Sequence, residues 1–574
     1  MKKHILAYGF AFGFISIFLN SSTLSAYTNA RLLDSFQEDQ EEQLFLEELD
    51  NTSFNSTTRS VIPVKSILGL IQDAGGFALL DQDFYLRTNP FVERNILDMP
   101  LWEMHACQEP ERWIVGGQLF WNKMDRSVFT CRSTNISSYL DLDQKTLFNA
   151  LDNLSPELKN LFPVASLIDP LSDTANFDSI LKLFRNFTVE ERRLGLMLHL
   201  WRQWERAEIR ALLPLYYVER NWFATPDEKI AIERQFGAPN AQEARMFQQF
   251  HGISDQIGFG DFRFEANYVP YDTDTFALRA GGFLTIPSAF ALSKGINGTT
   301  YRDCLEQPTL DLQALFDLAF KDDDLVNPSV SSDEQQALKQ ALIGDVCKNK
   351  NGFLLGALDR LNAILLETQL GNNRHFGIGG IIRSKTSLRA LLDDYDWTDR
   401  INWNNRLSVE YLAPADETRF FIKRNSPEDF SSRDFNSDDE QVQDDNLAFL
   451  EKEIVDKFYP YAIKTRVKPG PILRWFSRWC VNGDVWDFTI GSDIWIQPGE
   501  SLTLKCVDPD LYKRLDICNA KNSLAYQFKS VASLGFKILR PNYAFFFNVN
   551  AEGTSWNKNI GDDWAVSINM EANF

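Results

Sequence analysis

Histidine is scarce in this chain, with five scattered through 574 residues, and no Cys-x-x-Cys pair or Cys/His spacing suits a metal. No Gly-x-Ser-x-Gly elbow is present either. A hydrolytic centre would have to use His105, His199, His251 or His375, and each is expected to be a packed or loop histidine. The chain is therefore read as a non-enzyme, with no cofactor and no metal. It also lacks a run of eighteen apolar residues. That excludes a bundle of membrane-spanning helices but leaves open a β-barrel, whose strands need only about ten alternating residues. Positive charge is in deficit: 58 Lys and Arg stand against 79 Asp and Glu, a formal charge of −21. A phosphate-rich nucleic acid is a poor partner for such a chain.

What is present begins with an export signal. Lys2 and Lys3 precede the apolar run Ile5 to Leu19, and Leu24-Ser25-Ala26 offers a cleavage site, so residues 1–26 are read as a signal peptide. An uncleaved N-terminal anchor is the competing reading. Acidic runs such as Asp322 to Asp324 and Ser437 to Glu440 read as solvated loops, with divalent-cation bridging to lipopolysaccharide as the sharper alternative. Export permits disulfides among the seven cysteines. Cys304 with Cys347 and Cys506 with Cys518 fall within single inserts and are the expected pairs. Cys107 with Cys131 is a third candidate, leaving Cys480 over.

The dominant pattern is alternation. In the last eleven residues Trp564, Val566, Ile568, Met570, Ala572 and Phe574 alternate with Ala565, Ser567, Asn569, Glu571 and Asn573. In an extended chain this gives one apolar and one polar face. Such a stretch closing on Phe resembles the last strand of bacterial outer-membrane β-barrels. The resemblance implies that Trp564, Val566, Ile568, Met570 and Phe574 form the signal read by the barrel assembly machinery.

The same grammar recurs upstream. Trp113 to Asn122 alternates, as do Asp261 to Tyr268 and, after a tight turn at Tyr271 to Asp274, Thr275 to Ile286. Leu196 to Trp204 and Ile209 to Trp222 are read as two strands in preference to a helix, because Pro214 would break a helix interior. Arg374 to Ile382, Asn402 to Tyr411, Thr418 to Lys423, Val485 to Gln497, Ser501 to Cys506, Tyr526 to Leu539 and Tyr543 to Asn550 follow. Many of these exceed the five or six residues usual in soluble sheets and suit a tilted membrane crossing. Short and long connections alternate. Aromatics sit at strand ends: Tyr268, Trp403, Tyr411, Trp486, Tyr526, Tyr543, Trp564 and Phe574.

The expected fold is all-β: an antiparallel transmembrane barrel over residues 112–574, with an even number of strands between about 12 and 16, preferably about 14. Inserts are expected at 132–193, 288–372 and 425–484, and residues 27–111 form an N-terminal periplasmic or plug segment. Loop parity fails between 288 and 402, which signals a strand missed or invented nearby.

If apolar faces meet lipid, the polar faces line the interior: Asp261, Arg263, Glu265, Arg279, Asp487, Asp493, Lys529, Lys537 and Glu571, with Lys423, Asn548 and Asn550. A lumen carrying both signs of charge is hydrated, which favours a porin-like channel for passive passage of small polar solutes. The location that the resemblance implies is the outer membrane, with lipid, lipopolysaccharide and the assembly machinery as partners. An adhesin or structural barrel with a blocked lumen, and a secreted soluble β-rich protein that binds a carbohydrate, remain as alternatives. The sequence leaves the oligomeric state open.

Overall fold

The computed structural model describes residues 92–103, 113–125, 188–223, 253–294, 362–390, 397–424, 439–540 and 543–573, with a few single residues between them. Twelve strands form a closed antiparallel ring: β1 (Ile114–Asp125), β2 (Thr188–Gln203), β3 (Ala207–Phe223), β5 (Phe262–Asp272), β6 (Phe276–Ile286), β8 (Gly377–Ser387), β9 (Ile401–Leu412), β12 (Ile472–Asn482), β13 (Trp486–Gln497), β15 (Ala525–Arg540), β16 (Tyr543–Lys558) and β17 (Asp562–Asn573). Each pairs with the next, and β17 pairs with β1 from Ile114↔Asn573 to Asp125↔Asp562, so no ring strand is left with an open edge. Closure satisfies the backbone groups that lipid cannot. The even count falls in the expected range, two below the preferred number. Two further strands, β4 (Ile253–Phe259) and β7 (Phe290–Lys294), extend the β5–β6 hairpin past the ring. β4 takes over the pairing with β3 beyond Pro214, whose carbonyl accepts from Gly260 N at 2.8 Å. Proline is tolerated there because the ladder changes partner at that point.

The barrel is apolar outside and polar inside. On β13 Trp486, Phe488 and Ile490 point out, Ile490 being 54% exposed, while Asp487, Thr489 and Asp493 point in, Asp493 being fully buried. β9 repeats this with Leu407, Val409 and Tyr411 outward and Arg406, Ser408 and Glu410 inward. Aromatic pairs mark both rims. Trp403 stacks on Trp479 (5.6 Å between centroids) and Trp486 meets Phe536 (4.9 Å) near one end; Trp121 meets Trp564 (4.7 Å) and Tyr526 meets Trp556 (5.8 Å) near the other. Rings that are apolar in body and polar at the tip settle at a membrane interface.

The two ends differ. One carries the three-residue turns 204–206, 273–275 and 483–485 and the last residues of β17; the other carries the long connections 126–187, 413–471 and 498–524. On the long-loop side sits a second sheet, β10 (Ala415–Phe421), β11 (Tyr461–Lys468) and β14 (Ser501–Leu504), with helices α1 (Glu440–Phe458) and α2 (Pro509–Arg514). Asp439 and Asp508 cap the two helices through their side chains. Phe421, Ile463, Leu515 and Ala520 form its core, and Phe420 packs against Met124 and Val189 at the barrel rim.

This arrangement explains the parity failure. Thr418 to Lys423 and Ser501 to Cys506 are not crossings. They supply the small sheet and, at Lys423, a single bridge to Leu515, so the short connections 413–414 and 498–500 lie at the long-loop end. The missed crossing is β12, inside the expected insert 425–484. Its inward Arg474 interrupts the apolar look of the segment, although Leu473, Trp475, Trp479 and Val481 face outward as in any other strand. The insert expected at 132–193 ends earlier. Thr188 to Arg193 are strand, paired with Phe223 to Val218. The insert expected at 288–372 gives up Phe290–Lys294 to β7, and its residues 362–365 are helical. Cys506 and Cys518 are free and exposed, not paired. Their neighbours Val507 and Ile517 turn into the core of the small sheet, which leaves both thiols facing solvent. Cys304 and Cys347, the signal peptide and Phe574 lie outside the described residues.

Candidate functional site: the barrel interior

Strand alternation sends every second side chain of the ring inward, and most of those side chains are charged or polar. All nine interior candidates, Asp261, Arg263, Glu265, Arg279, Asp487, Asp493, Lys529, Lys537 and Glu571, are buried. Asp261 accepts from Asn372 N at 2.6 Å and from Asn95 Nδ2 at 3.3 Å, and the others are held in several ion-paired groups. Glu265 accepts from Arg406 (2.8 Å) and Arg383 (2.5 Å); Glu208 accepts from Arg383 (2.6 Å) and pairs with Arg279 (3.2 Å). Lys529 bridges Glu552 (2.7 Å) and Asp563 (2.6 Å), and Lys537 pairs with Asp487 (2.5 Å). Glu571 lies 3.4 Å from His199 and accepts from Asn569 at 2.6 Å. Gly116 leaves the room for that imidazole, since a Cβ there would fall 2.1 Å from His199 Nε2. Asn548 and Asn550 are also buried, whereas Lys423 belongs to the small sheet and pairs with Glu453 (2.6 Å) and Asp456 (2.7 Å) of α1.

The interior also holds a piece of the chain itself. Residues 92–103 run through the ring as two short 3-10 helices, Ile96–Asp98 and Pro100–Glu103. Asn95 starts the first by accepting from Leu97 N at 3.0 Å. This strap pairs with no strand among the described residues; side chains hold it. Arg94 pairs with Asp493 and donates to Gln527 Oε1 (2.9 Å); Asp98 pairs with Arg263 (2.8 Å), which also reaches Glu410 (2.9 Å). Glu103 pairs with Arg406 and with Arg474 (2.9 Å), while its carbonyl accepts from Arg478 (2.8 Å). Trp102, 1% exposed, is surrounded by the guanidiniums of Arg406, Arg210 and Arg474 at 4.8, 5.7 and 5.8 Å from its ring centre. Ile96, Leu97, Met99 and Leu101 complete a small apolar core with Phe120, Met197, Leu212 and Tyr216 of the wall.

Val92 packs with Leu412, Ile472 and Ala525, all at the long-loop end of their strands, whereas Glu103 meets arginines further toward the short-turn end. The strap thus descends along the lumen. A cavity of about 120 Å³ adjoins its upper end, lined by Glu93, Arg220, His375, Glu417, Arg419 and Glu500 among others. Another of about 90 Å³ adjoins Glu103, and five arginines are among its lining residues.

A membrane-facing apolar band, two aromatic rims, a closed ring of strands 11 to 17 residues long and a charged interior stand together here. This is the architecture of an outer-membrane β-barrel. No family model matches the chain, and no curated protein does. Similar solved structures include an outer-membrane channel of Pseudomonas putida F1 (7% identity, TM-score 0.36, covering 84% of this chain and 98% of that one). Others are the Pseudomonas putida toluene transporter TodX (8%, 0.28, 86% and 98%) and the translocator domain of autotransporter NalP from Neisseria meningitidis (5%, 0.29, 82% and 90%). Likeness at that level carries no functional information.

His199 is buried beside Glu571; His375 shares its ring nitrogens with Glu417 Oε1 and Ala413 O, each at 2.7 Å. His105 and His251 lie outside the described residues. No cluster of metal-ligating side chains is found among the described residues. Sequence reasoning missed the strap contacts Arg94, Asp98, Trp102 and Glu103 and the wall residues Arg383, Arg406, Glu410 and Arg474. The wall residues carried a readable signal: each is a charged residue one step from an outward apolar one, as in Arg406-Leu407 and Val409-Glu410.

Proposed function

We propose that this protein is an outer-membrane channel for small polar solutes whose lumen the strap 92–103 closes. The observation that carries the reading is the way the strap is attached. It fills the passage between two polar cavities, yet side-chain contacts hold it, and no ladder hydrogen bond of the described strands would break if it moved. The wall left behind would be charged with both signs, which suits a water-filled passage and does not suit a packed core. On this reading residues 1–26 direct export, the last strand addresses the assembly machinery, the short turns face the periplasm, and the long loops and small sheet face outward. Passage of small solutes into liposomes tests it. A variant with residues 94–103 replaced by Gly and Ser should admit small sugars and amino acids faster than the whole protein does. Equal exclusion by both, in protein that is β-rich and shifts in gel migration on heating, would contradict the channel.

A second reading has one observation of its own. The strap contributes buried charges that complete the wall's ion pairs, and the small sheet adds a folded surface at the long-loop end. Those features also fit a structural or adhesive barrel with a permanently filled lumen. The same uptake experiment separates the two.

A further inference from the structure

Cations outnumber carboxylates in the lining of the cavity beside Glu103. Arg210, Arg279, Arg383, Lys385, Arg406 and Arg478 line it, against the carboxylates of Glu103 and Glu208. Both carboxylates are already engaged, Glu103 by Arg406 and Arg474, Glu208 by Arg279 and Arg383. Arg210 stands apart from this pairing. It is 6% exposed, no carboxylate bonds it among the described residues, and its Nε has no hydrogen-bond partner. Its guanidinium lies over the faces of Trp201 at 4.6 Å and Trp102 at 5.7 Å from the ring centres. Glu265 stands opposite it across the β3–β5 ladder without bonding it, and a buried cation left unbonded is costly. Here the two rings hold the guanidinium at the cavity, a geometry that leaves its donors for something else. The space, about 90 Å³, is on the scale of about three waters, so it suits one small anion.

We propose that this cavity is a binding site for a small oxyanion, a phosphate or a carboxylate, with Arg210 as its principal donor. A planar guanidinium matches two oxygens of either group at once. Lys385, half-buried on β8, adds charge at the edge of the site. Trp201 and Phe476 give it apolar walls, which keep water from screening the contact. For transport, though not for binding, the proposal rests on the channel reading: the solute class would be anionic, entering past Arg210 as the strap moves.

The test is calorimetric titration of inorganic phosphate into the full-length protein in detergent, with acetate in a parallel arm. Saturable one-site binding is expected. Arg210→Gln should weaken it about tenfold or more, the size expected when a charge-assisted bond is lost. Lys385→Gln, further from the packed centre, should weaken it several-fold and carries the test if Arg210→Gln fails to fold. Preference for phosphate over acetate, or the reverse, names the class. Absence of saturable binding to either anion, or unchanged affinity in both variants, would overturn the site. Binding without solute uptake in the strap-replaced variant keeps the site and removes the channel; uptake without binding does the opposite.

Discussion

Replacing Trp102 with alanine removes the largest apolar side chain of the strap. The indole is 1% exposed and packs among Ile96, Leu97, Met99 and Leu101 of its own segment, while Arg210, Arg406 and Arg474 stand over its ring. Truncating a buried Trp costs about 3–5 kcal/mol, a figure that includes the lost cation–π contacts. None of this touches the twelve-strand ladder. The loss should therefore fall on the local opening of the strap and not on global unfolding. A loss of about 3 kcal/mol corresponds to about a hundredfold change in the opening equilibrium. Hydrogen exchange followed by mass spectrometry reads it directly. Amides of residues 96–103 should lose about two orders of magnitude of protection, while those of β13, β15 and β17 keep theirs. Unchanged strap protection, or equal loss in the strands, would refute the idea that side chains alone secure the strap.

Other perturbations address the wall and the surface. Lys529→Met leaves Glu552 and Asp563 buried without their shared cation; about 3–5 kcal/mol should be lost, seen as a lower temperature for the heat-induced shift in gel migration. Ile568→Lys puts a charge on the outward face of β17 and should cost about 2–4 kcal/mol if that face meets the lipid midplane, whereas Ile568→Val should be near neutral by the same assay. Gly371→Ala should destabilise the rim, because φ is +75° there and a Cβ would fall 2.4 Å from Asp261 Oδ1; a depressed transition in that assay is the expected result. Cys506→Ser and Cys518→Ser should each remove one site that a maleimide labels rapidly in the folded, unreduced protein; no change in either variant would mean that those thiols are not free.

Alternation made the barrel legible. Along β17 one face is buried and the other is not, without a break, and β6 and β13 keep that period over most of their length, so a period of two reports both the element and its orientation. Where that period was obscured, the reading failed for physical reasons. β12 carries Arg474 and Arg478 among tryptophans, which resembles a basic loop until the ring is known to be lined with charge. β10 and β14 are true strands of a different sheet, and sequence period alone does not say which sheet a strand joins. The charged candidates on polar faces were accessible for the same reason as the strands. The strap was not: residues 92–103 form short 3-10 turns whose role depends on contacts hundreds of residues away, such as Arg94 with Asp493 and Glu103 with Arg474.

The most direct test of the closed-channel account is single-channel recording in a planar bilayer, comparing the whole protein with Trp102→Ala. The account predicts rare or small openings in the former and frequent, larger, ohmic steps in the latter, with selectivity that shifts on charge reversal at Arg263 or Lys529. Silence from both, in preparations that remain β-rich and heat-modifiable, would contradict it.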